Sequence, residues 1–174
     1  MTATWTVPKT WAVGELVTAS NLNTHLRNNM EYLRVASADN YRGNESADIT
    51  TSSTTFIDID SGKYTVDVVI EAENGDILVC WVGAAKHSGG RTFFDITRAL
   101  NGGAASRIFG DDGATAVVET TIGDCSFSFI DKNLAPGTYT YVMQWKTTGA
   151  TGTLYSGAGT ANGDTHPDLS ARRL

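Results

Sequence analysis

The apolar positions change period once along the chain, near residue 54. Upstream of that point Leu22, Leu26, Met30 and Leu33 recur at spacings of four, four and three, with no Gly or Pro between them. This spacing predicts a helix over 18–36 carrying a single apolar stripe. Thr18 stands where an N-cap belongs, with Ala19, Ser20 and Asn21 in the first turn. Numbering Leu22 as heptad position d puts Leu26 at a, Asn29 at d, Leu33 at a and Ala36 at d, a narrow seam with one polar member. Within such a seam Asn29 would set register and oligomer number; the other reading of Asn28-Asn29 is a solvated face. So short a helix with one stripe is marginal alone in water, so it packs either on its own domain or on copies of itself. An extended lead over 1–17, containing Trp5, Pro8, Trp11 and Gly14, precedes it, and a polar stretch over 37–53 reads as a linker.

From Thr54 onward the alternation has period two. It predicts strands over 55–59, 63–70, 76–85, 91–100, 138–146, 151–155 and 168–172, with Asn74-Gly75, Asn101-Gly102-Gly103 and Pro136-Gly137 as turns. Residues 104–116 read as a loop, and 117–130 as one long strand or a bulged pair around Gly123-Asp124. In 138–146 the aromatics Tyr139, Tyr141 and Trp145 share one parity and belong to a core, while Thr138, Thr140, Val142, Gln144 and Lys146 face the other way. Strands at this spacing with no helix between them indicate a mainly β protein. The expected architecture is an antiparallel β-sandwich or jelly roll over 54–174, preceded by an extended arm and one short α-helix over 1–36.

Composition sharpens this picture. Only 18% of the 174 residues are charged, and 24 Thr and 18 Gly take up the polar surface, which suits strands and tight turns rather than a helical bundle. The formal net charge of -6 disfavours nucleic-acid binding, since a phosphate backbone repels that sign. No stretch approaches the roughly 20 apolar residues of a membrane helix. The first residues lack a charged segment followed by an apolar one, so synthesis in a cytosol without a secretory signal is expected. On that basis Asn44-Glu45-Ser46 matches the glycosylation pattern by chance.

Candidate chemistry is sparse. Cys80 and Cys125 lie in apolar strand-like runs and read as buried free thiols or as a cross-strand disulfide, with too few ligands nearby for a metal. His25, His87 and His166 have neighbours unlike a nucleophile elbow, an HExxH helix or a Cys-His pair. Asp111-Asp112-Gly113 and Asn162-Gly163-Asp164 are too short for a calcium loop and read as turns. Asp58 and Asp60 would share one face of a strand, a pairing that becomes catalytic only inside a cleft. No enzyme, cofactor or metal site is expected.

The run from Thr10 to Asn29 reads Thr-Trp-Ala-Val-Gly-Glu-Leu-Val-Thr-Ala-Ser-Asn-Leu-Asn-Thr-His-Leu-Arg-Asn-Asn. It resembles the N-terminal element of many tailed-bacteriophage virion proteins, in which a similar lead opens a short helix that joins subunit copies or anchors a fibre. Asn28 stands where that pattern often has Asp. Gly75-Asp76-Ile77-Leu78-Val79 and Leu134-Ala135-Pro136-Gly137-Thr138-Tyr139-Thr140-Tyr141 resemble the trimeric jelly-roll heads of phage fibres and decoration proteins.

The resemblance implies a homotrimeric structural component of a virion, assembled in the bacterial host cytoplasm, whose partners are its own copies and capsid or tail proteins. It places oligomer and attachment contacts at Trp11, Leu22, Leu26, Asn29, Met30 and Leu33. The alternative is a receptor- or host-glycan-binding tip module, with loops 87–91, 101–116 and 156–167 at the host surface.

Overall fold

The chain is described from a computed structural model, over residues 6–7, 9–30, 38–43, 45, 47–71, 74–117, 120–157 and 166–174. It divides into two units, Met1–Ser37 and Ala38–Leu174.

In the first unit the helix begins where the sequence places it. Thr18 is extended, and its hydroxyl accepts the Asn21 N–H at 3.2 Å, satisfying one of the donors a helix start leaves orphaned. The helix α1 (Ala19–Leu22) then widens into a π-helical turn over Asn23–Arg27, where the Asn28 N–H reaches back five residues to the Asn23 carbonyl. Residues 28–30 are α-helical again. The remainder of the predicted helix, with Leu33 and Ala36, lies outside the described residues.

The second unit is built from β1 (Ala38–Arg42), β2 (Ile49–Thr51), β3 (Ile57–Asp58), β4 (Thr65–Ile70), β5 (Gly75–His87), β6 (Thr92–Leu100), β7 (Ser106–Arg107), β8 (Thr115–Val117), β9 (Gly123–Leu134), β10 (Gly137–Thr147), β11 (Gly152–Tyr155) and β12 (Asp168–Arg173). The ladders between them are antiparallel. One sheet runs β1-β12-β5, with β9 on the far edge of β5 and β11-β2 continuing beside its C-terminal half. The other has β10 between β6 on one side and β3 and β4 on the other, with β7 and β8 on the outer edge of β6. Pairings are nested: β1 with β12, β4 with β10, β5 with β9, β6 with β8. A long hairpin rolled so that successive pairs alternate between sheets gives this pattern, which is a jelly roll.

Alternation explains the core. Tyr139, Tyr141, Met143 and Trp145 of β10 are buried while the opposite parity is half-exposed. A train of rings crosses between the sheets: Tyr41–Tyr64 at 4.8 Å, Tyr64–Trp81 at 5.8 Å, Trp81–Phe94 and Phe94–Trp145 each at 6.2 Å. Asn101 and Gly102, at φ 51° and 70°, turn the chain out of β6, and the Gly103 N–H closes on the Leu100 carbonyl at 2.9 Å.

Two expectations are corrected. The polar stretch 37–53 is no linker, because β1 and β2 are strands of the sandwich, and Tyr41 packs edge-on to Tyr64. Their Asp, Asn and Thr residues obscured this, since an edge strand can leave much of its surface in water. Residues 117–130 are neither one strand nor a bulged pair: Val117 ends β8 in one sheet and Gly123 opens β9 in the other. Apolar residues flank the crossing on both sides, so hydropathy runs on through it. The predicted strand 55–59 shrinks to β3, and the loop 104–116 contains the short β7 and the start of β8.

Candidate functional site

Two places gather side chains that the folding of their own unit does not explain. The first is the N-terminal module. Asn29 is 5% exposed. Its Oδ1 accepts the Thr6 N–H at 2.8 Å, and its Nδ2 donates to the Thr6 carbonyl at 2.6 Å and the His25 carbonyl at 3.2 Å. The carboxamide thus pairs with a main-chain residue as a neighbouring strand would. His25 adds a second tie, its Nδ1 donating to the Val7 carbonyl at 3.2 Å. At the bend of the lead, Glu15 binds Lys9 and accepts the Ala12 N–H, and the Lys9 ammonium lies 5.0 Å from the Trp11 ring centroid. The Lys9 contact holds the Glu15 carboxyl below its ordinary range.

Against this polar frame the apolar side chains point to water. Leu22, Leu26 and Met30 are 45%, 56% and 61% exposed, and Val7, Trp11, Val13, Leu16 and Val17 are exposed as well. In an α-helix each four-residue step drifts about 40° around the axis. The π-helical turn takes about one more residue than an α-helical one, which works against that drift between Leu22 and Met30. Asn29, the polar member of the heptad seam, faces the lead here, its carboxamide spent on Thr6 and His25.

The second place is a groove on the outer face of the β3-β10-β6-β7 sheet. A cavity of about 490 Å³ is lined by Thr54, Thr55, Phe56, Thr97, Ala105, Arg107, Asp111, Gln144 and Lys146. Arg107 enters on β7 beside Thr97, and Gln144 and Lys146 enter on the outward parity of β10. The Arg107 guanidinium and the Lys146 ammonium lie 4.8 Å and 4.6 Å from the Phe56 ring centroid. Arg107 Nη2 donates to Asp111 Oδ1 at 2.6 Å, Lys146 donates to the Asp111 carbonyl, and Gln144 Nε2 donates to Asp58 at 2.9 Å.

Asp95 is fully buried on β6, opposite Gln144 in register. Its Oδ1 accepts the N–H groups of Ile96 at 2.7 Å and Phe109 at 3.3 Å, and burial raises its carboxyl above the ordinary range despite those bonds. Gly113, at φ 71°, lets the covering loop press on β6, since a Cβ there would meet the Phe94 carbonyl at 2.7 Å.

The remaining candidates disperse. His87 is buried at the end of β5 and accepts the Gly89 N–H at 3.0 Å, and His166 bonds the Gly43 carbonyl at 2.8 Å. Asp58 serves Gln144 while Asp60 pairs with Lys63 at 3.0 Å, so the two carboxylates do not work as a pair. Asn162-Gly163-Asp164 lies outside the described residues. Among the described residues no group of three or more His, Cys, Asp or Glu could hold a metal ion, and no helix is long and apolar enough to cross a membrane. Phe109, the one aromatic in the loops expected at a host surface, packs edge-on against Phe127 and Phe129 at 5.7 and 5.1 Å. Sequence reading missed the groove because Phe56, Arg107 and Lys146 come from three separate segments and none carries a motif.

No protein-family model matches the chain, and no curated protein sequence does. Among solved structures it is similar to Eiger TNF from S. frugiperda, at 12% identity over 79% of this chain and 91% of that one, with a TM-score of 0.45. Murine APRIL is similar at 8% identity over 79% and 99% of the two chains, TM-score 0.44. The VP2 subviral particle of infectious bursal disease virus is similar at 9% identity over 78% of this chain and 40% of that one, TM-score 0.39.

Proposed function

We propose that the chain is a structural subunit of a bacteriophage particle, a homotrimeric decoration protein or fibre fixed to the capsid or tail through its N-terminal module. The observation that carries this reading is the apolar surface of that module. Leu22, Leu26 and Met30 form an exposed row on a helix whose polar side is already occupied by the lead. Burying each such side chain is worth about 1.5–3 kcal/mol, so the module gains a partner at every opportunity. Three copies of a single row close into a threefold bundle around one axis, and Trp11, Val13, Leu16 and Val17 remain to meet the particle. The likeness of Thr10–Asn29 to phage anchoring elements supports the same division of labour, with assembly in the host cytoplasm as part of the proposal.

The test is a truncation. A chain beginning at Ala38 retains the ladders of the sandwich and should fold, with a circular-dichroism spectrum of β type. Mixed with particles that lack the protein, fluorescently labelled full-length chain should bind and the truncated chain should not. Equal occupancy by the two would overturn the assignment of attachment to residues 1–37.

A further inference from the structure

We propose that the groove on the outer face of the β3-β10-β6-β7 sheet binds a carboxylate-bearing saccharide, with Arg107 and Lys146 taking the carboxylate and Thr54, Thr55, Thr97 and Gln144 the hydroxyls. The chain carries a net charge of -6, yet here two cations converge on one phenyl ring, Phe56, beside an open cavity. Like charges repel, so bringing them together is unfavourable unless an anion compensates. The carboxylate paired with Arg107 is Asp111, whose side chain is 90% exposed; the buried Asp95 carboxyl lies beneath, within electrostatic reach of both cations, but is walled off from the cavity. An ion pair that open to water holds weakly and exchanges readily.

Asp111 thereby shows the chemistry the guanidinium accepts, and a ligand carboxylate can take its place. The Phe56 ring keeps both cations at the cavity wall while this exchange occurs. Arg107 commits Nη2 to Asp111, and a guanidinium has five N–H donors in a planar fork suited to a carboxylate. Gln144 donates to Asp58 and keeps its carbonyl oxygen as an acceptor; the Thr54 and Thr55 hydroxyls can donate and accept, while Thr97, whose hydroxyl donates to the Val142 carbonyl at 3.4 Å, offers an acceptor. Polar hydrogen-bonding walls around a pair of cations suit a polyhydroxylated anion better than an apolar ligand.

The inference goes beyond attachment and does not depend on it, because a chain that fails to reach the particle retains the groove. The experiment uses the full-length protein with sialyllactose and a glucuronate disaccharide as probes, their uncharged counterparts lactose and a glucose disaccharide, and inorganic phosphate as competitor. Ligand-observed NMR and calorimetry should show binding of at least one acidic sugar and not of its neutral counterpart. Lys146→Gln and Arg107→Gln should each weaken it tenfold or more, and Thr55→Ala, outside the ion pairs, about threefold. The proposal is overturned if neither acidic sugar binds at millimolar concentration, if the neutral sugars bind equally, if the variants bind as the parent does, or if phosphate displaces the sugar at equal concentration.

Discussion

Cys80 projects from the outer parity of β5, where it is half-exposed, and Cys125 projects inward from β9, where it is buried. Register pairs Cys80 with Ser128 and Cys125 with Gly83, so the two thiols lie on opposite faces of one sheet and cannot bond. Burial pushes the Cys125 thiol up to about 12, with Asp124 adding to the shift and Trp81 opposing it. Two reactivities follow. A thiol reagent at pH 8 should label one residue per chain, Cys80, in the native protein and both after denaturation, as read by mass spectrometry. Reductant should leave the melting temperature unchanged. The sequence left pairing open because both residues sit in apolar runs; parity in the assembled sheet separates them.

At the scale of the element, the π-helical turn is decisive. A regular helix would put Asn29 on the same face as Leu22 and Leu26; around this wide turn Asn29 bonds Thr6 while Leu22, Leu26 and Met30 stay exposed. The two functions should separate by mutation. In the proposed trimer Leu26→Asp would place a charge on the shared axis, a cost of about 3 kcal/mol, and should weaken association on the order of 100-fold by analytical ultracentrifugation. Asn29→Ala should leave the oligomeric mass unchanged while accelerating hydrogen exchange at the Thr6 amide. If Leu26→Asp keeps its mass and Asn29→Ala loses it, the seam runs through Asn29 after all. Thr18 as N-cap and the four-residue spacing were legible in the chain, since both are local. The wide turn was not, because Asn23–Arg27 contains no residue that demands one.

For the whole molecule the question is what couples the two sheets beyond apolar contact. Asp131 of β9 accepts from Arg98 Nη1 of β6 at 2.7 and 2.9 Å and from the Tyr141 hydroxyl of β10 at 2.9 Å, bridging one sheet to the other. Arg98 is held in its charged form by this contact. Asp131→Ala strands a buried hydroxyl and a half-buried guanidinium, and should cost about 3 kcal/mol of unfolding free energy in urea. Asp131→Asn, which keeps an acceptor, should lose less. A loss below about 0.5 kcal/mol for the alanine variant would show that the aromatic train alone holds the sheets together.

The chain by itself determined the β class, the aromatic face of β10, the turns at Asn101-Gly102 and Pro136-Gly137, and the apolar spacing of the N-terminal helix. Each is a local or periodic property, carried by neighbours within a few residues. Only the tertiary structure decided that 38–51 belong to the sandwich, that 117–130 changes sheets, and that Cys80 and Cys125 face apart. It alone gathered Phe56, Arg107, Gln144 and Lys146 around one cavity. In a jelly roll the first strand pairs with the last, so the contacts that make a surface join residues far apart in sequence, and no local pattern marks them.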